Sequence, residues 1–207
     1  MKTLADFAYD GEAAIETLLK NSHYGSIEQA VASLALFTHP STIKQTANKA
    51  LFRIRRYKAG EKRKEVVQVE RVVLCDNFSP AVVFLWANNL RKKDLKEIQY
   101  NHIYQKAYDP EYYTSLANIC VTPAFLGKLT DKSKKVKQLL KYRTWVEYGF
   151  LPAGEPKPEK PFIYDSLKWA KYLPECSDLK KCILEKLNRM PKSRIALSIQ
   201  HFGWIFA

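Results

Sequence analysis

The sequence predicts an α+β chain, predominantly helical, with one small strand-loop-strand-helix unit near its middle. Three observations carry that expectation. Apolar residues recur at helical spacing over most of the chain. Two short stretches, 67–73 and 97–104, have the period or length of strands. The composition of the 207 residues, 46% hydrophobic and 27% charged with seven glycines, is that of a folded protein and excludes disordered and collagen-like classes.

The elements follow in order. Gly11-Glu12 opens an apolar-periodic helix through Ala14, Ile15, Leu18 and Leu19. Ser26 is placed to cap a second helix, with Gln29 three residues on as its reciprocal partner. His39-Pro40 breaks the pattern, and Ser41 restarts it in a third helix running to about Tyr57. There Ile43, Ala47, Ala50, Leu51 and Ile54 share one face, and Lys49, Arg53 and Arg56 another. This arrangement reads either as a helix-turn-helix module or as an ordinary helical pair with a solvated basic side.

Residues 58–64 form a turn containing Lys58, Lys62, Arg63 and Lys64. Val67, Val69, Arg71 and Val73 then alternate with Gln68, Glu70 and Val72 as one strand. Ser79-Pro80 begins an apolar helix, 97–104 is strand-like, Pro123 begins a short helix, and Asp131 a longer one to about Gly149. In that longer helix Val136, Leu139, Leu140 and Val146 oppose Lys134, Lys137, Lys141 and Trp145, a face suited to phosphates and sugars or to plain solvation. Pro152, Pro156, Pro158 and Pro161 mark an extended connector. Two helices, 164–172 and 177–189, and an aromatic tail at 201–206 complete the chain. The resulting segments are 1–64, helical; 65–150, carrying the hairpin and helix; 151–162, the connector; and 163–207, helical.

Thirty-four Lys and Arg against 21 Asp and Glu leave a charge of +13. Such an excess attracts polyanions, because neutralised phosphates release condensed counterions, so nucleic acid is the expected partner. No apolar run reaches the roughly 18 residues that span a bilayer, and no apolar signal region follows Met1, so no membrane partner and a cytoplasmic location are expected. Cys75, Cys120, Cys176 and Cys182 contain no C-x-x-C pair, so no structural zinc is expected.

The informative stretch is 98–149. A strand ends in Asn101-His102; a polar loop leads to Ser115-Leu116-Ala117-Asn118-Ile119-Cys120; a helix ends near 128–131. It resembles the ββα-metal, or HNH, nuclease core, over about a quarter of the chain. The resemblance implies a metal-dependent DNA endonuclease, in a restriction, phage-defence or mobile-element setting. By that resemblance His102 is the general base, Asn118 pins the loop between the strands, and Asn101 supplies an amide oxygen to Mg2+ or Mn2+. The family's third ligand lies nine residues after the central Asn, where this chain has Gly127; a further one lies at thirteen, where it has Asp131. Asp131 reads either as the carboxylate ligand or as the N-cap of the next helix. The nucleic-acid grip is assigned to Lys49, Arg53, Arg56, Lys62, Arg63, Lys64, Lys134, Lys137, Lys141 and Trp145. A two-fold homodimer would suit cutting both strands. The competing expectation is a non-catalytic nucleic-acid-binding protein that keeps a degenerate HNH fold.

Overall fold

The computed structural model describes residues 2–204 and is α+β. Helices α1 (Gly11–Lys20), α2 (Ile27–Leu34) and α3 (Pro40–Lys44) come first, then strands β1 (Ile54–Arg56), β2 (Val66–Val67) and β3 (Val72–Cys75). Next are α4 (Phe78–Ala87), β4 (Ile98–His102), β5 (Ile119–Pro123), α5 (Ala124–Lys132) and α6 (Lys134–Tyr148). The chain ends with α7 (Leu179–Asn188) and α8 (Arg194–Phe202). One sheet has the order β1-β3-β2, with β1 parallel and β2 antiparallel to β3. The other is the antiparallel pair β4-β5, in which Asn101 faces Cys120 and His102 faces Ile119.

Local chemistry explains most helix ends. The Asp10 carboxylate accepts from the N–H groups of Glu12 and Ala13 at the start of α1. Ser26 Oγ accepts from Gln29 N at 3.0 Å at the start of α2. The Gln29 amide does not return to the cap; it reaches Ser33 Oγ and the Lys168 carbonyl instead. Gly149 ends α6 at φ 64°, a left-handed conformation that suits glycine.

Three expectations are corrected. The third helix stops at Lys44 instead of continuing to about Tyr57. Ala47 and Asn48 take positive φ, and residues 54–56 leave the helical path to pair with β3. The compensation is the Arg55 side chain, 1% exposed, whose Nη2 lies 2.7 Å from Glu61 Oε1 and whose Nε lies 2.7 Å from Glu70 Oε2. Lys49, Arg53 and Arg56 therefore share no helical face, and a helix-turn-helix does not form there.

The stretch 67–73 is not one strand. It turns at 68–71, where Arg71 has φ 51° and its N–H donates to the Gln68 carbonyl at 3.1 Å. Val69 stands 97% exposed at the tip. The helix expected at 164–172 is only a 3₁₀ turn, Tyr164–Ser166. Beyond it the backbone is used sideways: Ala170 N donates to the Ala32 carbonyl and Leu173 N to the Phe37 carbonyl. Arg143 anchors this strip, its guanidinium 4.5 Å from the Trp169 ring centre and 5.2 Å from that of Tyr172.

One apolar core draws on every part of the chain, from Leu19 and Ile27 through Phe52, Val73, Trp86, Tyr104, Leu126, Leu139 and Phe150 to Leu179 and Ile195. The segments divided at 64 and 151 thus share a core, and the β1–β3 pairing crosses the first of those divisions. Of the tail aromatics, Trp204 lies 5.9 Å from the Phe52 ring; residues 205–207 lie outside the described residues. No helix among the described residues is long and apolar enough to cross a membrane.

Candidate functional site

The cleft that matters lies at the end of β4. Its cavity volume is about 500 Å³, in the range of a ligand site. β4 delivers Gln99, Asn101 and His102, α5 delivers Lys128 and Asp131, β1 delivers Arg56, and the loop after β4 delivers Gln105 and Tyr108. The strand alternates, so Gln99 and Asn101 turn to α5 while Tyr100 and His102 turn the other way.

His102 is half-buried. Its Nε2 lies 2.9 Å from the Tyr113 carbonyl oxygen, and its ring stacks on that of Tyr113 with centroids 5.2 Å apart at 15°. A carbonyl only accepts, so Nε2 carries the hydrogen and Nδ1 holds the lone pair. Burial pushes the imidazole below its ordinary pKa, against the Tyr113 carbonyl and the Asp131 charge, which both act to raise it. The ring is neutral at pH 7.

Asn118 is fully buried at the far end of the loop. Its Oδ1 accepts from Tyr104 N at 2.8 Å, and its Nδ2 donates to the carbonyls of Tyr104 at 3.1 Å and Tyr112 at 3.2 Å. The carbonyl accepting from His102 belongs to the residue after Tyr112, so one amide ties the loop that orients the imidazole.

Asn101 is 3% exposed. Its Nδ2 donates to Thr122 Oγ1 at 2.9 Å and to the Gln99 carbonyl at 3.1 Å. Its Oδ1 lies 3.0 Å from Thr130 Oγ1, and that hydroxyl lies 2.7 Å from the Gly127 carbonyl. One hydroxyl has one hydrogen, so Thr130 serves these two oxygens only in turn, leaving lone-pair capacity on Asn101 Oδ1. Asp131 lies in the last turn of α5, and Ser133 is the N-cap residue of α6, so the capping reading of Asp131 is set aside. Its Oδ1 is 3.4 Å from Gln105 Nε2.

Gly127 faces β4. A Cβ there would stand 2.3 Å from Gln99 Oε1 and 2.8 Å from Gln99 Cβ, so its missing side chain is what lets β4 and α5 meet. Among the described residues no group of three or more His, Cys, Asp and Glu gathers at one point. The oxygens at hand are the amides of Asn101 and Gln99 and the carboxylate of Asp131. Such hard oxygen donors are of the chemical type that Mg2+ takes, alongside waters and phosphate oxygens.

The fold thus gathers His102, Asn101, Asp131 and Arg56 in one cleft and scatters the other basic residues. Lys49 and Arg53 line a separate hollow with Arg71 and Trp204, and Arg53 is paired with Glu111. Lys62, Arg63 and Lys64 sit exposed on the 57–65 loop, with Arg63 Nη2 3.2 Å from Asp76. Lys134 remains exposed, and Lys137 is half-buried. The expected open face at Lys141 and Trp145 is covered: Lys141 pairs with Glu155 at 3.0 Å and lies over Tyr104, while Lys157 lies 4.3 Å from the Trp145 ring centre. The proline-rich connector lies along that face.

Sequence reasoning missed Tyr113, Thr130, Gln99 and Lys128. Tyr113 and Thr130 act through a backbone carbonyl and a shared hydroxyl, for which no side-chain pattern exists; Lys128 was visible one position past Gly127. Comparison with protein-family models, with curated proteins and with solved structures gives no match for this chain.

Proposed function

We propose that this chain is a metal-dependent DNA endonuclease of HNH type. The observation that carries the reading is His102: a neutral imidazole at the end of β4, its Nε2–H held by the Tyr113 carbonyl and its Nδ1 left as the base, in a cleft flanked by Arg56 and Lys128. In this reading β4, β5 and α5 form the ββα-metal core, and Asn118 is its loop-pinning residue.

The chemistry follows from these groups. Arg56 and Lys128 outnumber Asp131 in the cleft and hold a backbone phosphate by charge. Nδ1 of His102 takes the proton of the attacking water, and the Tyr113 carbonyl stabilises the imidazolium that results. Asn101 and Asp131 would hold Mg2+ or Mn2+. When bound, the ion supplies positive charge against the oxygens of the phosphoryl group and the leaving 3′ oxygen.

A second reading has an observation in its favour. Gly127 offers no ligand, and Gln99 lies where a side chain there would begin; the chain would then bind nucleic acid without cutting it. Supercoiled plasmid incubated with the protein and Mg2+ or Mn2+ decides between the two. Nicking that stops with EDTA and with His102→Ala supports the nuclease. Retardation on a gel without nicking in either ion overturns it in favour of the binding protein.

A further inference from the structure

A second cavity of about 220 Å³ adjoins the first, between α4 and α8. It is too small for a drug-sized ligand and suits one planar ring. Its walls are apolar: Trp86 and Ile195 beneath, and Phe78 and Met190 at the mouth, each of the last two 50% exposed. Its rim is cationic, with Arg63, Lys64, Lys192 and Arg194. Asp76 takes the two arginines, Arg194 at 3.0 Å and Arg63 at 3.2 Å. Lys64 and Lys192 make no ion pair among the described residues and face the cavity exposed.

This cavity and the cleft share a wall. Asn77 and Pro80 line the cleft, while Phe78 and Ser79, between them in sequence, line the cavity. Asp76 joins the two sites as well: its carboxylate takes the two arginines and the Phe78 N–H, and its carbonyl accepts from Tyr113 OH at 2.7 Å, the same Tyr113 that stacks on His102. The exposed Phe78 ring, with Lys92 Nζ 5.9 Å from its centroid on one side and Lys64 and Lys192 at the cavity rim, has the chemistry of a stacking platform for a base and its phosphate next to a cationic cleft.

We propose that the α4–α8 cavity receives one unstacked nucleotide of a DNA strand whose backbone lies in the adjoining cleft. The base lies on Phe78 against Met190, and its phosphate meets Lys192 and Lys64. The inference rests on a polynucleotide partner, as the nuclease reading does, but not on cleavage.

Met190 lines the cavity, so methyl-labelled methionine places a reporter there, its resonance assigned by comparison with Met190→Leu. The full chain, in EDTA, is titrated with single-stranded oligodeoxyadenylate and with its abasic counterpart, while anisotropy follows binding. The base's ring current should move the Met190 methyl resonance upfield with the first strand and not with the second. Phe78→Leu should remove that shift and weaken binding about 5- to 150-fold, and Phe78→Tyr should retain the shift. Lys192→Ala should weaken binding of both strands and lower its salt dependence. A Met190 signal that stays still at saturation, or that moves equally with the abasic strand, overturns the proposal, as does a wild-type chain that binds neither. Plasmid nicking without the shift would remove the pocket and leave the nuclease; the shift without nicking would do the reverse.

Discussion

The Nε2 atom of His102 donates to the carbonyl of Tyr113, and the aromatic ring of the same Tyr113 stacks on the imidazole that it holds. One residue therefore sets both the tautomer and the tilt of His102. The Tyr113 hydroxyl donates to the Asp76 carbonyl at 2.7 Å, which ties the ring of Tyr113 to the end of β3.

Removal of the imidazole should show in rate more than in fold. His102→Ala should lower nicking by about 10²- to 10⁴-fold, the usual contribution of a general base, while leaving DNA retention in place. Quantified plasmid nicking with a parallel gel shift checks both halves.

The pH dependence has a fixed sign. Burial lowers the folded pKa of His102 below its ordinary value of 6.5, so the base is already neutral at pH 7. Nicking should therefore be level near neutrality and fall only in acid, below pH 6.5. Stability moves the same way: between the folded pKa and 6.5 the unfolded chain binds the extra proton, so the fold weakens as pH drops through that window. Rate profiles and thermal melts from pH 5 to 8 test this, and a rate still climbing above pH 7.5 would contradict it.

Asn118→Ala should remove three hydrogen bonds at a fully buried position and leave Tyr104 N without its partner, while the carbonyls of Tyr104 and Tyr112 keep the N–H groups of Lys106 and Ser115. A loss of about 3 kcal/mol is expected from bonds of that kind. Thermal unfolding should then fall by roughly 6–12 °C. Asn118→Asp should be nearly as harmful, because the carboxylate keeps the acceptor but loses both donors.

Gly127→Ala should be destabilising by about 1–3 kcal/mol through overpacking, since its Cβ would meet Gln99 at 2.3 Å. Gln99→Ala combined with Gly127→Ala should recover much of the loss, and a double-mutant cycle in denaturant measures the coupling. Additive losses would contradict the contact.

Arg55→Ala should lower the melting temperature, because it removes a buried guanidinium and leaves the two partly exposed carboxylates it pairs with facing each other. Glu61 carries the matching acid signature. Hydrogen bonds from Arg55 and from the Lys58 backbone hold its carboxyl down at about 2. Its contribution is complete above pH 4.5 and is lost as pH falls from there towards 2. Melts of wild type and Glu61→Gln should converge across that window.

The legible parts of the chain were those with local causes. Ser26, Pro80, Pro123 and Gly149 mark element ends by cap and ring geometry, and α1, α2, α4 and α6 form near the positions their apolar spacing assigns. Strand β4 and the start of α5 also lie where the strand-like piece 97–104 and Pro123 set them, whereas β5 had no strand-like stretch of its own. Residues 45–57 misled because their apolar spacing suits a helix, whereas the guanidinium of Arg55 needs both Glu61 and Glu70, and only a strand beside β3 brings it to them. Trp145 misled because the connector that covers it is separated from it in sequence by the end of α6.

Residue types, caps and periodicity by themselves determined an α+β chain of strongly basic composition, and only the resemblance to the HNH core pointed to one histidine flanked by two asparagines. Tertiary structure alone decided which cations stand beside that histidine, that a backbone carbonyl holds its ring, and that Gly127 is a point of contact between strand and helix. The division has a physical reason: capping and periodicity act within a few residues, whereas the contacts that orient an imidazole or bury a guanidinium join residues that only the folded chain brings together.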